Sequence, residues 1–217
     1  MKQFFTYIPE RVQSLFEGLP EGQMWILFPR IEEYLRFIIK PGNRGVIHGD
    51  VHIEDIVEIG EGTTIEHGAV IKGPTIIGKN CEIRSGAYIR GSVITGDNCV
   101  IGHTTELIRS ILFDGVRLDH FNYVGDSVLG NNVHFGAGAK VANLRFDEAK
   151  IVIDGKDTEL KKFGVILGDR CQLGVNTAVG PGIIFEKDVW FLSSYRVTSG
   201  VYGREEIKNL VQPYTNL

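Results

Sequence analysis

The sequence predicts a mainly β fold, a parallel β-helix of hexapeptide repeats with short helices at its N- and C-terminal ends. The first observation is a strict period of six, with an aliphatic residue, or Thr95, at every sixth position from Ile59 to Leu107. The second is the residue four places later, which is often small, as at Ala69 and Cys81. The third is the content of 27 glycines, which indicates many turns. A short fixed period is typical of a solenoid, whereas an amphipathic helix needs apolar residues about every 3.6 positions.

Residues 1–45 carry a different pattern, with apolar residues at helical spacing. The segments PERVQSLF and FPRIEEYLRFIIK each place such residues on one helical side: Val12, Leu15 and Phe16, then Ile31, Leu35 and Ile38. Pro29 stands near the start of the second helix, and Pro41 followed by Gly42 ends it. We therefore predict a helical N-terminal cap over residues 1–45. Its expected role is to cover an open end of the β-helix, where unpaired strand edges would otherwise pair with other chains.

The β-helix itself is predicted over residues 46–192. Its hexads resume at Leu167 after an excursion over residues 147–164, in which Asp154-Gly155 between two strand-like runs predicts a β-hairpin. Stacked coils are expected to pair as parallel strands about 4.8 Å apart. Residues 193–217 are predicted to form a C-terminal tail, with one short helix in REEIKNLV.

Composition and charge argue against several classes of protein. Of the 217 residues, 43% are hydrophobic and 23% are charged, which is ordinary for a globular protein. The net charge of −4 argues against a nucleic-acid partner or a membrane-surface partner. The start MKQFFTYIPERVQ lacks the apolar core of a signal peptide, and no run of about 18 apolar residues occurs. Three cysteines without metal-ligand spacing fit a reduced compartment, so we expect a cytoplasmic protein.

One corner of the predicted coil gathers histidines. Counting eighteen residues per coil puts His67, Ser85 and His103 at equivalent corners, and His120 follows after seventeen because the hexads slip near Phe113. His103 is therefore expected one coil, or about 5 Å, from His120. A column of histidines suggests two alternatives, a metal site or a catalytic base with polar neighbours.

The stretch DHFNYVGDSVLGNNVHFGAGAKVANLRFD, with GVILGDRCQLGVNTAVGPG after the excursion, resembles the acetyltransferase domain of GlmU-like enzymes. Those enzymes combine glucosamine-1-phosphate acetyltransferase with N-acetylglucosamine-1-phosphate uridylyltransferase. The stretch is more similar still to archaeal sugar-1-phosphate nucleotidyltransferases that carry an amino-sugar-phosphate acetyltransferase domain. The resemblance covers residues 45–192. It implies a left-handed coil, against the usual right-handed crossover rule, and a homotrimer with its sites in clefts between subunits.

The resemblance also implies individual roles. His120 matches the family's catalytic base, and Ala137 and Gly138 lie in a turn whose backbone faces the acetyl donor, acetyl-CoA. The residues that match sugar-phosphate ligands, or replace one, are Tyr123, Asn143, Arg90, Arg109, Lys162 and His134. These residue types suit the chemistry, because a histidine can accept the proton of the attacking amine and backbone N–H groups can stabilise an oxyanion. Arginine matches phosphate geometry, and no metal is needed for acetyl transfer.

The sequence departs from the family pattern at several corners. A family lysine appears as Ile108, a family tyrosine as Leu144 and a bacterial asparagine as His134. Of the two lysines expected after NLRFDE, only Lys150 is a near match. These changes leave the amino sugar unspecified and keep a non-catalytic alternative open.

The predicted function is acetyl-CoA-dependent N-acetylation of an amino-sugar 1-phosphate, such as glucosamine-1-phosphate, by an acyltransferase. The alternative is a non-catalytic or regulatory module of a sugar-nucleotide pathway, derived from a protein related to UDP-N-acetylglucosamine pyrophosphorylase. A third alternative, a zinc enzyme of the γ-carbonic anhydrase type, would want a His-x4-His pair that the sequence lacks. The Gly-rich GxGTRLxP-type loop of nucleotidyltransferases is also missing, so we expect no nucleotidyltransferase activity.

Overall fold

The computed structural model describes residues 1–20, 22–192, 197 and 199–210. The chain folds as a mainly β parallel solenoid of about nine turns with few short helices, which confirms the predicted fold class. The helices are α1 (Glu10–Phe16), a 3-10 helix (Met24–Arg30), α2 (Ile31–Ile38) and α3 (Arg204–Leu210).

The strands are short, and most have two or three residues. In chain order they are β1 (Gly42–Asn43), β2 (Val46–Ile47), β3 (His52–Ile53), β4 (Val57–Ile59), β5 (Thr64–Ile65), β6 (Val70–Ile71), β7 (Thr75–Ile77), β8 (Glu82–Ile83), β9 (Tyr88–Ile89), β10 (Val93–Thr95), β11 (Val100–His103), β12 (Glu106–Leu112), β13 (Arg117–His120), β14 (Tyr123–Leu129), β15 (His134–Phe135), β16 (Lys140–Val141), β17 (Val152–Ile153), β18 (Lys156–Asp157), β19 (Val165–Leu167), β20 (Gln172–Leu173), β21 (Ala178–Val179), β22 (Ile183–Phe185), β23 (Trp190–Phe191) and β24 (Gly200–Tyr202).

Each coil has three sides. Face 1 stacks β1, β4, β7, β10, β12, β14, β19, β22 and β24, and face 2 stacks β2, β5, β8, β11, β13, β15, β20 and β23. Face 3 is formed by β3, β6, β9, the first residues of β12 and β14, then β16 and β21. The strands β12 and β14 are long because they continue from face 3 around a corner onto face 1.

The interior follows the period of six. Each predicted inward residue from Ile59 to Leu107 is at most 1% exposed. All of them except Thr95 belong to one hydrophobic core cluster. Cys81 and Cys99 occupy the small position of neighbouring coils in the same cluster. Burial of this continuous aliphatic column is what stabilises a stack whose single coils could not fold alone.

The coils are not all of one length. Ile76 pairs with Ile94 eighteen residues on, whereas Ile94 pairs with Ile111, and Ile111 with Val128, after only seventeen. The slip expected near Phe113 is therefore present. The change falls between Leu107, which pairs with Ile89 eighteen residues back, and Ile111, so the coil is shortened at the bend within β12.

Face 1 turns a row of aliphatic side chains outward, which we call the outer apolar stripe. It consists of Ile76, Ile94, Ile111, Val128, Ile166 and Ile184. The N-terminal helices pack on this stripe through buried residues such as Phe16, Trp25 and Leu35. The N-terminal segment thus lies along the flank and differs from the expected end cap, because an aliphatic row of this length needs burial. At the first coil, Val46 and Ile47 remain exposed.

The excursion forms the predicted hairpin. Strands β17 and β18 pair antiparallel across Asp154 and Gly155, whose φ angles of 47° and 77° suit a two-residue type I′ turn. The hairpin folds back on the flank, where Ile153 joins the cluster that includes the outer apolar stripe. The chain leaves and re-enters the solenoid at one point, since Phe163 N–H donates to Asn143 O at 2.9 Å.

The C-terminal helix predicted in REEIKNLV is present as α3. Most of the predicted tail, including residues 193–196 and 211–217, lies outside the described residues. In the described part of the chain, no helix is both long and apolar enough to cross a membrane.

Candidate functional site

The corner between faces 2 and 3 carries the predicted histidine column. His103 and His120 are direct partners in the register of β11 and β13, as the count of residues predicts. The Nδ1 of His103 lies 2.8 Å from Ser85 O, which fixes that imidazole. His120 is exposed, and Phe121 is its ring neighbour at 6.2 Å between centroids. Within the described residues, nothing hydrogen-bonds to the imidazole of His120, so this group faces solvent.

A glycine turn lies directly above His120. Gly138 N–H donates to His120 O at 2.9 Å, which stacks the Ala137–Gly138 turn one coil above the histidine. Gly138 has a φ of 74°, and an added Cβ would lie 2.3 Å from Asn176 Oδ1. Among the residues that the structure describes, Ala137 N–H has no acceptor. Ala137 therefore has a free backbone donor, while that of Gly138 is already used.

A second polar group lies at the next corner, between faces 3 and 1. The carboxylate of Asp126 is buried, accepts a hydrogen bond from Arg109 Nε at 2.6 Å and also accepts one from Asn143 Nδ2. Tyr123 Oη and Asn143 Nδ2 both lie over Gly125, where an added Cβ would come within 2.9 and 2.7 Å of them. We call Arg109, Tyr123, Asp126 and Asn143 the polar cluster.

The charges of the polar cluster affect Tyr123. Burial, followed by the negative charges of Glu106 and Asp126, raises the pKa of Tyr123. The hydroxyl therefore stays protonated at neutral pH and can donate a hydrogen bond. Arg109 is held in its charged form, because its hydrogen bond to Asp126 raises its pKa further.

Two further predicted cations border the polar cluster. Arg90 Nη1 lies 2.7 Å from Glu106 Oε1, and Glu106 is the register partner of Tyr123. Lys162 is exposed and its backbone forms an antiparallel bridge with Leu144, the residue after Asn143. Arg90 thus already has a carboxylate partner, whereas Lys162 is placed beside the polar cluster by its backbone alone.

His134 lies on a different face of the solenoid from the polar cluster. It stands on face 2, where its Nε2 is 3.4 Å from Asp119 Oδ2. The same carboxylate receives Arg117 at 2.9 Å and Arg84 at 3.3 Å. Within one chain His134 is thus separated from the polar cluster, and its predicted contact with substrate stays a prediction.

Two buried polar residues, Asp126 and Asn122, were missed by sequence reasoning. Asp126 stands seventeen residues from both Arg109 and Asn143, so the coil length could have indicated that the three are stacked neighbours. Asn122 is 2% exposed and lies between His120 and Tyr123 in the chain. No signal in the sequence distinguishes it from an ordinary turn asparagine.

No group of three or more His, Cys, Asp or Glu residues in the described part of the chain could hold a metal ion. Ser85 interrupts the histidine column between His67 and His103. The site therefore presents a solvent-facing imidazole and a free backbone N–H at one edge of face 3, and the polar cluster at the opposite edge of that face.

Comparisons with known proteins identify the family of this chain. The family model described as GMPPB C-terminal domain matches residues 71–167. Bifunctional protein GlmU of Methanococcus maripaludis is 44% identical over 140 residues, which are 60% of this chain and 34% of that protein. YaiX of Escherichia coli, named as an uncharacterized acetyltransferase, is 32% identical over 182 residues, or 76% of this chain and 79% of that protein. The chain belongs to the hexapeptide-repeat acyltransferase family related to the GlmU acetyltransferase domain.

The match to the longer members of this acyltransferase family is partial. The bifunctional sugar-1-phosphate nucleotidylyltransferase/acetyltransferase of Sulfurisphaera tokodaii is 33% identical over 166 residues, or 75% of this chain and 41% of that protein. The chain thus spans less than half the length of these bifunctional relatives.

The cysteines of this acyltransferase-family chain lie away from the site. Cys81, Cys99 and Cys171 are all buried in the solenoid. Burial raises the pKa of Cys171 to about 12. The pKa of Cys99 is also well above its usual range, because its neighbour Cys81 and burial both disfavour the thiolate. A reactive thiolate is therefore not available at either position.

Proposed function

We propose that the protein is an acetyl-CoA-dependent N-acetyltransferase that acts on an amino-sugar 1-phosphate such as glucosamine-1-phosphate. The observation that carries the proposal is the placement of two groups of residues at the two edges of face 3. His120 and the Ala137–Gly138 turn lie at the edge shared with face 2, and the polar cluster lies at the edge shared with face 1. His120 ends β13 and Tyr123 begins β14, so only the corner residues Phe121 and Asn122 separate the two in the chain.

The polar cluster is the proposed sugar-phosphate site. Arg109 uses only Nε for Asp126, so both terminal nitrogens of its guanidinium can form a fork with phosphate oxygens. Arg90 and Lys162 add positive charge at the border of the site. Asn143 and Tyr123 supply an amide and a neutral hydroxyl for sugar hydroxyl groups. This arrangement directs the amino group away from the phosphate and towards His120.

Acetyl transfer then proceeds by direct attack. The amine nitrogen forms a bond to the thioester carbonyl carbon, and His120 accepts the proton that the amine releases. Ala137 N–H donates to the oxyanion, which collapses with cleavage of the carbon–sulfur bond. The leaving thiolate takes the proton from the imidazolium of His120, so the free thiol of CoA is released. The buried thiols support a route without an acetyl-enzyme intermediate.

The proposal includes a homotrimer in the cytoplasm. The N-terminal segment occupies face 1, so neighbouring subunits have faces 2 and 3 available for contact. The corner between those faces carries Phe121, which is 53% exposed and lies between the rings of His103 and His120. Burial of such an aromatic side chain against a second copy would bring each His120 into a cleft. Light scattering at micromolar concentration should give the mass of a trimer, and a monomer would contradict this part of the proposal.

A second candidate is a binding module without transfer activity. The observation that favours it is the imidazole of His120, which has no orienting hydrogen bond within the described part of the chain. General bases are commonly oriented by a third group. The polar cluster would bind the sugar phosphate equally well in such a module.

The decisive experiment is an assay of the purified protein with acetyl-CoA and glucosamine-1-phosphate. We expect release of free CoA, measured by thiol titration, together with an N-acetylated sugar phosphate, measured by mass spectrometry. Calorimetry with the sugar phosphate, read together with this assay, separates the two candidates. Binding without CoA release would favour the module, and absence of both would refute a sugar-phosphate site.

A further inference from the structure

We infer that Asn122 is a positioning residue that holds His120 and the Ala137–Gly138 turn in a fixed relation. The inference rests on the proposed function, in which these two features supply the base and the oxyanion donor. Asn122 itself does not face the substrate. It is 2% exposed and lies inside the corner between faces 2 and 3.

The side chain of Asn122 links two coils. Its Oδ1 accepts a hydrogen bond from the backbone N–H of His120 at 3.2 Å. Its Nδ2 donates to Gly136 O at 2.9 Å and to Ala139 O at 3.2 Å. These two carbonyls flank the Ala137–Gly138 turn on either side, so one amide group connects the histidine below with both ends of the turn above.

The backbone of Asn122 extends the link to a third coil. Its N–H donates to Thr105 Oγ1 at 3.3 Å, and its carbonyl accepts from Glu106 N–H at 2.8 Å. Thr105 is fully buried. Asn122 is therefore anchored from below, and the Ala137–Gly138 turn is anchored to it.

Only an amide of this length satisfies all three side-chain bonds. Each N–H of Nδ2 has one carbonyl acceptor, and Oδ1 has one donor, which leaves no donor of the side chain unpaired. Loss of the amide removes one of the two donors of each carbonyl, since Ala139 N–H also donates to Gly136 O at 3.2 Å and Tyr123 N–H to Ala139 O at 3.3 Å, and it leaves His120 N–H without its side-chain acceptor. The turn can then shift relative to His120, and a displacement of about 1 Å at a reacting centre can cost about 10²-fold in rate.

Asn122→Ala and Asn131→Ala form a matched pair of variants. Asn131 is also 2% exposed, and its Nδ2 donates to Tyr7 O at 3.0 Å and to Asp169 Oδ1 at 2.9 Å. It lies at a corner between faces 1 and 2, away from the site. Both variants should lower the thermal unfolding midpoint. Only Asn122→Ala should lower kcat, by roughly 10- to 100-fold, with KM for the sugar phosphate within about twofold of the wild-type value.

Asn122→Asp adds a second measurement, the pH dependence of kcat, which a merely structural role would leave unchanged. Its carboxylate would still accept from His120 N–H, but it would face the carbonyls of Gly136 and Ala139 without a donor. Protonation at lower pH restores one donor, and such an environment raises a carboxyl pKa. The ratio of kcat for Asn122→Asp to kcat for the wild type should therefore rise several-fold as pH falls. A ratio independent of pH would overturn the role of the two donated hydrogen bonds.

Hydrogen exchange followed by mass spectrometry tests the link without any activity. In Asn122→Ala, amides of the peptides that contain His120 and Gly138 should both exchange faster, and in Asn131→Ala they should not. Unchanged exchange in Asn122→Ala would overturn the inference whatever the activity. If the wild-type protein is inactive but Asn122→Ala still shows faster exchange at both peptides, the proposed function alone is refuted. An unchanged kcat in an active Asn122→Ala would refute the positioning role alone.

Discussion

Face 1 and the corner between faces 2 and 3 are built on the same coils, yet their outward residues differ completely. On face 1 the outward residue of six coils is aliphatic and covered by the N-terminal segment. At the corner these coils present His103, His120 and Phe121, which are exposed, and Ala137, which is partly exposed. The interior column is common to both regions. The difference teaches that the repeat fixes the scaffold through its inward residues and leaves the outward ones free to specialise.

The largest expected effect is at the corner. His120→Ala should lower kcat by about 10²–10⁴, because it removes the proposed general base while the exposed side chain contributes little to packing. The matched control is His103→Ala, one coil away, whose imidazole is fixed to Ser85 O. Steady-state kinetics of both variants check the prediction. An equal loss in both would mean that the two histidines act together.

For the residues packed under the N-terminal helices, the comparison predicts a loss of stability without a loss of activity. Phe113 is fully buried against Phe5 and Phe16, at ring distances of 4.9 and 5.7 Å. Phe113→Ala should lower the free energy of unfolding by about 3–5 kcal/mol. The control Phe37→Ala, at a side chain that is 88% exposed, should change it by less than about 0.5 kcal/mol. Urea unfolding measures both, and a large loss of activity in folded Phe113→Ala would break the separation of the two regions.

A smaller effect distinguishes Asp126 from Asp119, two buried carboxylates that each hold an arginine. Asp126→Asn should raise KM for the sugar phosphate about tenfold, or about 1.4 kcal/mol, because Arg109 and Asn143 lose their shared anchor. Asp119→Asn on face 2 is the control, since Asp119 holds Arg84, Arg117 and His134 in a similar way. Its KM should stay near the wild-type value. A similar rise in both variants would bring face 2, and with it His134, into the substrate site.

The smallest expected effect concerns the thiols. Because burial raises the pKa of Cys171 to about 12, that thiol is protonated at pH 8 and becomes a thiolate only in strongly alkaline solution. The pKa of Cys81 is instead lowered by its hydrogen bond to Cys99, but this thiol is buried like the other two. Because all three are inaccessible in the folded protein, a thiol reagent should modify none of them in the native state at pH 8, and all of them after denaturation. Double-reciprocal kinetic plots should intersect. Parallel lines, or an acetylated cysteine in the mass spectrum, would contradict direct transfer.

Much of the scaffold could be predicted because it depends on local periodicity. The period of six identified the inward residues from Ile59 to Leu107, and the Asp154-Gly155 pair identified the hairpin. Counting coils put His103 beside His120. In each case the physical cause is a buried column or a turn with positive φ, and the residues that produce it lie close together in the sequence.

The rest depends on contacts between distant segments. Ile76 and Ile77 are adjacent and both aliphatic, so the sequence does not show that one points outward and needs a cover from the N-terminal helices. Asp126 gains its role only from Arg109 and Asn143 on neighbouring coils. The roles of such buried polar residues follow from stacking, which a single short motif does not record.

The excursion shows how a solenoid can gain length without gaining height. Val128 pairs with Ile166 thirty-eight residues on, although the coils before and after it close after seventeen or eighteen. The extra segment begins and ends where Phe163 meets Asn143, so it is a side branch attached at a single closed junction. Its length is therefore uncoupled from the rise of the stack. Insertions at this junction can lengthen, shorten or replace the branch while every strand above it keeps its partner, which makes the junction a natural place for new loops to be grafted beside the polar cluster.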